Sequence, residues 1–172
     1  MRKTAGALIV GVALLLGPVL PSAASAQGST NNFLGTYYIC DGNGNGSCKS
    51  LIPGAAVFEG EAVFAFGRIN GAWRWDVYSV LENGQTQFIF QLHADTAFCN
   101  GNSGGADVIK SCDGSASERW RFTSDGKLVN IGRTNDKGTS EVLCNPGAGG
   151  QLVIVPPASC SNYHKTWTLI PG

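Results

Sequence analysis

Apolar and polar residues alternate along this chain in short runs, separated by residues that form turns. Runs rich in β-branched and aromatic residues predict strands. They lie at 87–93, 108–111, 127–131, 141–143 and 151–155. Asn-Gly or Asp-Gly pairs, which tolerate the positive φ of hairpin turns, occur at 70–71, 83–84, 113–114 and 125–126. No window has a capped 3.6-residue apolar period, so the pattern predicts an all-β protein.

Three tryptophans recur at a constant interval. Trp73, Trp120 and Trp167 are 47 residues apart, and each is followed by a polar and then an apolar residue. That alternation is typical of a half-buried strand. Chance spacing is the alternative interpretation. We interpret the three side chains as equivalent residues of three internal repeats.

The cysteines support the repeat interpretation. Cys99 and Cys144 are each followed by a turn sequence, a second cysteine 13 or 16 residues later, and a tryptophan after a further 8 or 7 residues. The first repeat departs from this order, because Cys48 follows Cys40 after only 8 residues. We infer a smaller loop and an insertion there. The pattern predicts three pseudo-repeats, at about 33–86, 87–130 and 131–172, closed into a barrel.

The second repeat carries a family resemblance. Trp120 follows Ser117-Glu118-Arg119 and precedes the turn and strand at 124–130. This stretch resembles the Gln-x-Trp motif of ricin-B-type β-trefoil lectins, and the similarity covers about 33–170. The resemblance implies a β-trefoil of twelve strands, about four in each pseudo-repeat, in which Trp73, Trp120 and Trp167 are core residues.

All six cysteines follow the N-terminal apolar run. Zinc sites favour close cysteine pairs with histidines at fixed spacing, and neither feature is present in this sequence. We therefore expect structural disulfides, no metal and no cofactor. The repeats make three local pairs, which are Cys40–Cys48, Cys99–Cys112 and Cys144–Cys160.

The sugar-binding positions of the ricin-B family hold other residues in this chain. The family's ligand Asp, two residues after the first cysteine, is replaced by Gly42, Gly101 and Pro146. Its motif Gln is replaced by Gly71, Glu118 and Lys165. Its stacking aromatic is replaced by Lys110 and Ala158 in repeats two and three. The residues directly after each first cysteine, Asp41, Asn100 and Asn145, are our candidate ligand-binding residues. Candidate stacking aromatics are Tyr37, Tyr38, Phe58, Tyr78 and Tyr163.

The N-terminus has the order of a secretory signal peptide. Arg2 and Lys3 precede an apolar run at 5–20, and small residues lead to Ala24-Ser25-Ala26. A membrane anchor is the alternative, but 16 residues are short for a span that needs about 20. We expect 1–26 to be removed and 27–172 to form one secreted, monomeric domain without a membrane span.

The charge and the sequence motifs argue against nucleic-acid binding and against catalysis. Without the leader, ten basic and twelve acidic residues leave a net charge of −2 and no basic run, so nucleic acid is not an expected partner. His93 and His164 lie in no nucleophile motif. Glu59 and Glu61 lie on one face of a strand expected within 55–66. We expect that the protein is not an enzyme and that it is a secreted, lectin-like carbohydrate-binding protein. The alternative is a trefoil that binds an extracellular protein as an inhibitor or toxin accessory subunit.

Overall fold

The structure is a computed structural model that describes residues 31–42, 48–54, 56–67, 73–147, 149–160 and 164–172. The predicted signal peptide, the Asn70-Gly71 turn and Tyr163 lie outside the described residues. The described part contains twelve strands, which are β1 (Asn32–Asp41), β2 (Lys49–Pro53), β3 (Val63–Gly67), β4 (Trp75–Glu82), β5 (Gln85–Leu92), β6 (Phe98–Ser103), β7 (Ala106–Ser111), β8 (Arg119–Phe122), β9 (Leu128–Asn130), β10 (Val142–Cys144), β11 (Val153–Val155) and β12 (Trp167–Pro171). The all-β prediction is confirmed.

Six of these strands form a closed barrel. In chain order the strands fall into three groups of four, and the first and fourth strand of each group pair around the barrel. Antiparallel pairing joins β1 to β4, β4 to β5, β5 to β8 and β8 to β9, while β12 pairs with β1. A bridge between Lys127 and Thr166 links the β9 and β12 regions and completes the ring.

The remaining strands form three hairpins that cap one end of the barrel. These hairpins are β2–β3, β6–β7 and β10–β11. The third strand of each group of four (β3, β7 or β11), with the residues just before it, pairs with its two counterparts in a triangle. The pairs are Ala62 with Val108, Ala106 with Val153, and Phe64 with Gln151. The same contact therefore recurs three times around one axis.

The core is built around three equivalent tryptophans. Trp75, Trp120 and Trp167 are fully buried. Their indole nitrogens donate to the backbone oxygens of Leu51 at 3.1 Å, Asn100 at 3.2 Å and Leu143 at 3.0 Å.

The assignment of Trp73 as the core tryptophan of the first repeat is therefore wrong. The counterpart of Trp120 and Trp167 is Trp75, whereas Trp73 is only half-buried against the core. Trp73 precedes β4, while Trp75 begins the strand and reaches the β2 carbonyl. The constant 47-residue interval pointed to the wrong member of the pair, because the interval from Trp75 to Trp120 is 45 residues and the one from Trp120 to Trp167 is 47.

A short helix, α1 (Ile131–Lys137), was not expected from the sequence. The side chain of Asn130 caps it by accepting from the Arg133 amide at 2.8 Å, and Gly138 ends it in the left-handed conformation with φ 67°. Both cap residues are typical of helix ends. Two helical turns are too short to show a period, so the caps were the available signal.

The strand expected within 55–66 is shorter than predicted. Glu59 lies in a turn and Glu61 precedes β3, so the two carboxylates do not share a strand face. The Glu59 carboxylate accepts from the Ser111 hydroxyl at 2.8 Å. It serves to join this turn to β7.

The three predicted disulfides are present. Cys40–Cys48, Cys99–Cys112 and Cys144–Cys160 have Cα–Cα distances of 5.1, 5.1 and 6.0 Å. Each one closes a loop within a single group of four strands. In the part of the chain that the structure describes, no helix is long and apolar enough to cross a membrane.

Candidate functional site

The sequence-based ligand candidates lie in the interior. Asn100 is 0% exposed, and Asp41 and Asn145 are also buried. Asp41 and Asn145 come together, because the Asn145 Nδ2 donates to Asp41 Oδ2 at 2.7 Å. Asp41 and Asn145 join the first and third groups of strands, while Asn100 lies within the second group. Asp41 ends β1, Asn145 follows β10 and Asn100 lies within β6. The burial of all three side chains corrects the hypothesis that they face a ligand pocket.

The family-type sugar position of the second repeat is covered by a lysine. A Cβ added at Gly101, the place of the family's ligand Asp, would lie 2.9 Å from Lys110 Cδ. Lys110 itself stands at the family's aromatic position. The structure thus brings the two positions together, but a lysine stem packs over a glycine there. Gly101 and Lys110 therefore supply neither the carboxylate nor the aromatic platform that the ricin-B family uses.

A surface cavity lies beside the second disulfide. Its volume is about 400 Å³, within the range of small-ligand pockets. We call it the groove, and its main lining residues are Asn31, Tyr78, Ile89, Gln91, Asp113 and Glu118, with the Cys99–Cys112 disulfide. A cavity of about 240 Å³ shares Asn31, Ile89, Asp113 and Gly114 with it and extends it to Arg119.

Strand pairing positions the apolar side of the groove. Tyr78 on β4 lies opposite Ile89 on β5. The Tyr78 ring packs against Phe33, with ring centroids 5.3 Å apart, and Phe33 is 53% exposed. Beneath them lies a small apolar cluster outside the barrel, formed by Val80, Ile89 and Cys99. The groove therefore has an aromatic wall on an apolar floor.

Glu118 shapes the polar end of the groove. Its buried carboxylate accepts from the Asp113 amide at 3.1 and 3.2 Å and from the Gly114 amide at 2.9 Å. Burial raises the pKa of Glu118, and the two amides offset part of that rise. Glu118 stands in the motif Gln position, two residues before Trp120, and it holds the turn after Cys112 in place.

Asp113 presents a carboxylate at this turn. It is exposed, and its Oδ1 accepts from the Ser115 amide at 2.8 Å. Hydrogen bonds from Ser115 lower the pKa of Asp113, which keeps it ionised at neutral pH. Across the groove, Gln91 donates through Nε2 to the Thr96 carbonyl at 2.6 Å, which fixes its amide.

These groups together have the chemistry of a polyhydroxylated ligand site. An ionised carboxylate accepts from several hydroxyls, amides both donate and accept, and an aromatic face packs against C–H groups. Tyr78 was among the aromatic candidates from the sequence. Asp113 was interpreted as a turn residue and Gln91 as a strand residue, because nothing local indicates that the β4–β5–β6 register brings them together.

His93 lies in a polar cluster with Asp76 and Thr36. His93 Nδ1 lies 2.9 Å from Asp76 Oδ1, and the Thr36 hydroxyl donates to that same oxygen at 2.6 Å. Nucleophilic catalysis requires the hydroxyl to contact the base. In this trio the hydroxyl is bonded to the carboxylate instead, so the geometry is that of an interstrand polar cluster.

No protein-family model and no curated protein matches the sequence at a significant level. Solved structures do match. The beta-trefoil lectin of the Vibrio vulnificus hemolysin/cytolysin, bound to N-acetyl-D-lactosamine, superposes with a TM-score of 0.59 over 80% of this chain and 94% of the other, at 14% identity. The fold is a β-trefoil. The six-stranded barrel, the three capping hairpins and the triangle of their third strands are the elements of that trefoil.

A second matching structure is that of a non-toxic homologue of type II RIPs from Momordica charantia (bitter gourd), in complex with alpha-methyl-D-galactoside. The TM-score is 0.55 at 16% identity, over 81% of this chain. This chain spans about half of that protein, 48% of its length. Both of these matched structures hold a saccharide.

Proposed function

We propose that this trefoil is a secreted, lectin-like carbohydrate-binding protein and that the groove is its sugar site. The observation that carries the proposal is the position of the ionised Asp113 carboxylate in one groove with the Tyr78 ring. The saccharides held by the two matched trefoils support it. Three disulfides support secretion, because such bonds persist in oxidising compartments.

The groove assigns a role to each group. The apolar face of a sugar ring lies against Tyr78, and ring hydroxyls donate to Asp113. The amides of Asn31 and Gln91 complete the polar contacts. Glu118 is a positioning residue, since its oxygens are already engaged by the turn amides.

Glycan arrays followed by calorimetry test this proposal. For the glycan that binds best, Tyr78→Ala and Asp113→Asn each weaken binding about tenfold or more, as expected for loss of a packing face or a charged acceptor. Phe58→Ala removes an exposed aromatic away from the groove, and Asp125→Asn changes another exposed Asp-Gly turn, so both serve as matched controls.

Two outcomes would contradict the proposal. Binding that survives both Tyr78→Ala and Asp113→Asn would place the sugar elsewhere on the trefoil. Absence of binding to every glycan on the array would reject carbohydrate recognition and favour the protein-binding alternative.

A further inference from the structure

The groove does not end at Arg119. Arg119 also lines a neighbouring cleft of about 500 Å³ between the β4–β5 hairpin, β8 and α1. We call this the arginine cleft, and its polar lining includes Glu82, Gln85, Gln87, Arg119, Arg121 and Asn135. An elongated ligand that occupies the groove can therefore continue into this cleft past a single shared side chain.

The two arginines of the cleft differ in what they contact. Arg119 is neutralised by Glu82, with Nη1 2.6 Å from Oε2, and its Nε donates to the Gly114 carbonyl at 2.9 Å. Arg121 donates to the neutral Gln85 amide at 2.7 Å. Among the described residues Arg121 forms no ion pair. The cleft therefore keeps one positive charge without a countercharge.

Gln87 supplies a second, independent observation. It lines the arginine cleft, is 5% exposed, and its Oε1 is a buried acceptor with no hydrogen-bond partner among the described residues. Buried polar atoms are nearly always hydrogen-bonded, and an unpartnered one is costly. The cleft thus offers an acceptor that a ligand hydroxyl would satisfy, close to a guanidinium that a carboxylate would satisfy.

We propose that the arginine cleft binds an acidic sugar residue, a uronic acid or a similar carboxylated saccharide, within a glycan whose neutral part lies in the groove. The carboxylate contacts Arg121, and a hydroxyl donates to Gln87 Oε1. This inference rests on the proposed function. A phosphate fits less well, because it offers few donors at neutral pH for the unpartnered acceptor. Arginine favours planar carboxylates, which it binds through two parallel hydrogen bonds.

The test compares two sugars that differ only at C6, D-glucuronic acid and D-glucose, by calorimetry and by amide NMR titration. The protein is expected to bind glucuronate about tenfold more tightly than glucose, as for one charge-assisted contact. Glucuronate is expected to shift the amides of Gln87 and Asn135. Arg121→Gln abolishes the preference, whereas Lys49→Gln, which removes a charge from the exposed first residue of β2, preserves it.

Equal affinity for the two sugars, or glucuronate shifts that map outside the cleft, would overturn the acidic-sugar assignment. The two proposals fail separately. If Tyr78→Ala abolishes neutral-glycan binding while Arg121→Gln leaves glucuronate binding unchanged, only the cleft assignment falls. If glucuronate binds in an Arg121-dependent way and no neutral glycan binds, the cleft assignment stands and the groove assignment falls.

Discussion

Replacing Asp107 by asparagine should stabilise the protein increasingly as the pH rises. Asp107 is 0% exposed and lies in the cap at the position that Val63 and Leu152 hold in the other two hairpins. Its carboxylate oxygens lack well-formed hydrogen bonds. Burial raises the pKa of Asp107 well above its ordinary value, and the neighbouring Asn100 side chain offsets only part of that rise.

The direction in which stability changes with pH follows from the linkage between protonation and folding. Because the folded-state pKa is raised, the stability due to the protonated carboxyl is fully present below the unfolded pKa of about 3.9. That stability is lost as the pH rises toward the folded-state pKa. The loss approaches about 1.4 kcal/mol per pH unit for one proton. Asparagine has nearly the same shape and does not titrate, so the variant lacks this slope.

Urea denaturation of the wild type and Asp107→Asn at pH values from about 4 to 8 measures the effect. We expect the two free energies of unfolding to diverge with pH in favour of the variant, with a gain above about 1 kcal/mol at neutral pH. Asp136→Asn, a change on the exposed face of α1, is the control. Parallel curves for the wild type and Asp107→Asn would show that ionisation of Asp107 does not destabilise the fold.

Two further predictions concern the core and the second disulfide. Trp75→Phe removes the indole donor of the Leu51 carbonyl and leaves it only the long 3.4 Å contact from the Ser50 hydroxyl, so it should cost about 2–4 kcal/mol in thermal denaturation. Trp73→Phe should cost under about 1 kcal/mol, and equal losses would reject the repeat assignment. Replacing both Cys99 and Cys112 by serine should lower stability by about 2–4 kcal/mol and weaken sugar binding, because this bond lies in the groove. Unchanged affinity in a folded double variant would contradict the second part.

The strands were predictable because alternation and turn chemistry are local. Asn83 and Gly84 adopt φ values of 51° and 73°, as a two-residue hairpin between β4 and β5 requires. The choice between Trp73 and Trp75 was not local. Both fit the alternation, and they are distinguished by burial and by the hydrogen bond of Trp75 to the Leu51 carbonyl, 24 residues away.

The candidate site could not be predicted from local sequence patterns, because it also depends on contacts between distant parts of the chain. Asp41 and Asn145 occupy turn-like sequences, yet barrel closure brings them together across 104 residues and buries them. Conversely, Asp113 lies in a turn that Glu118 fixes, and the strand register then sets Tyr78 and Gln91 beside it. A single sequence shows the residue types but not which strands become neighbours.

The most direct test of the groove as the carbohydrate site is an amide NMR titration with the glycan that binds best on an array. We expect the largest shifts at the amides of the groove residues Tyr78, Gln91, Asp113 and Gly114. Shifts centred on Gly101 and Lys110, the family-type position of the second repeat, or on Asp41 and Asn145, would contradict the groove as the carbohydrate site.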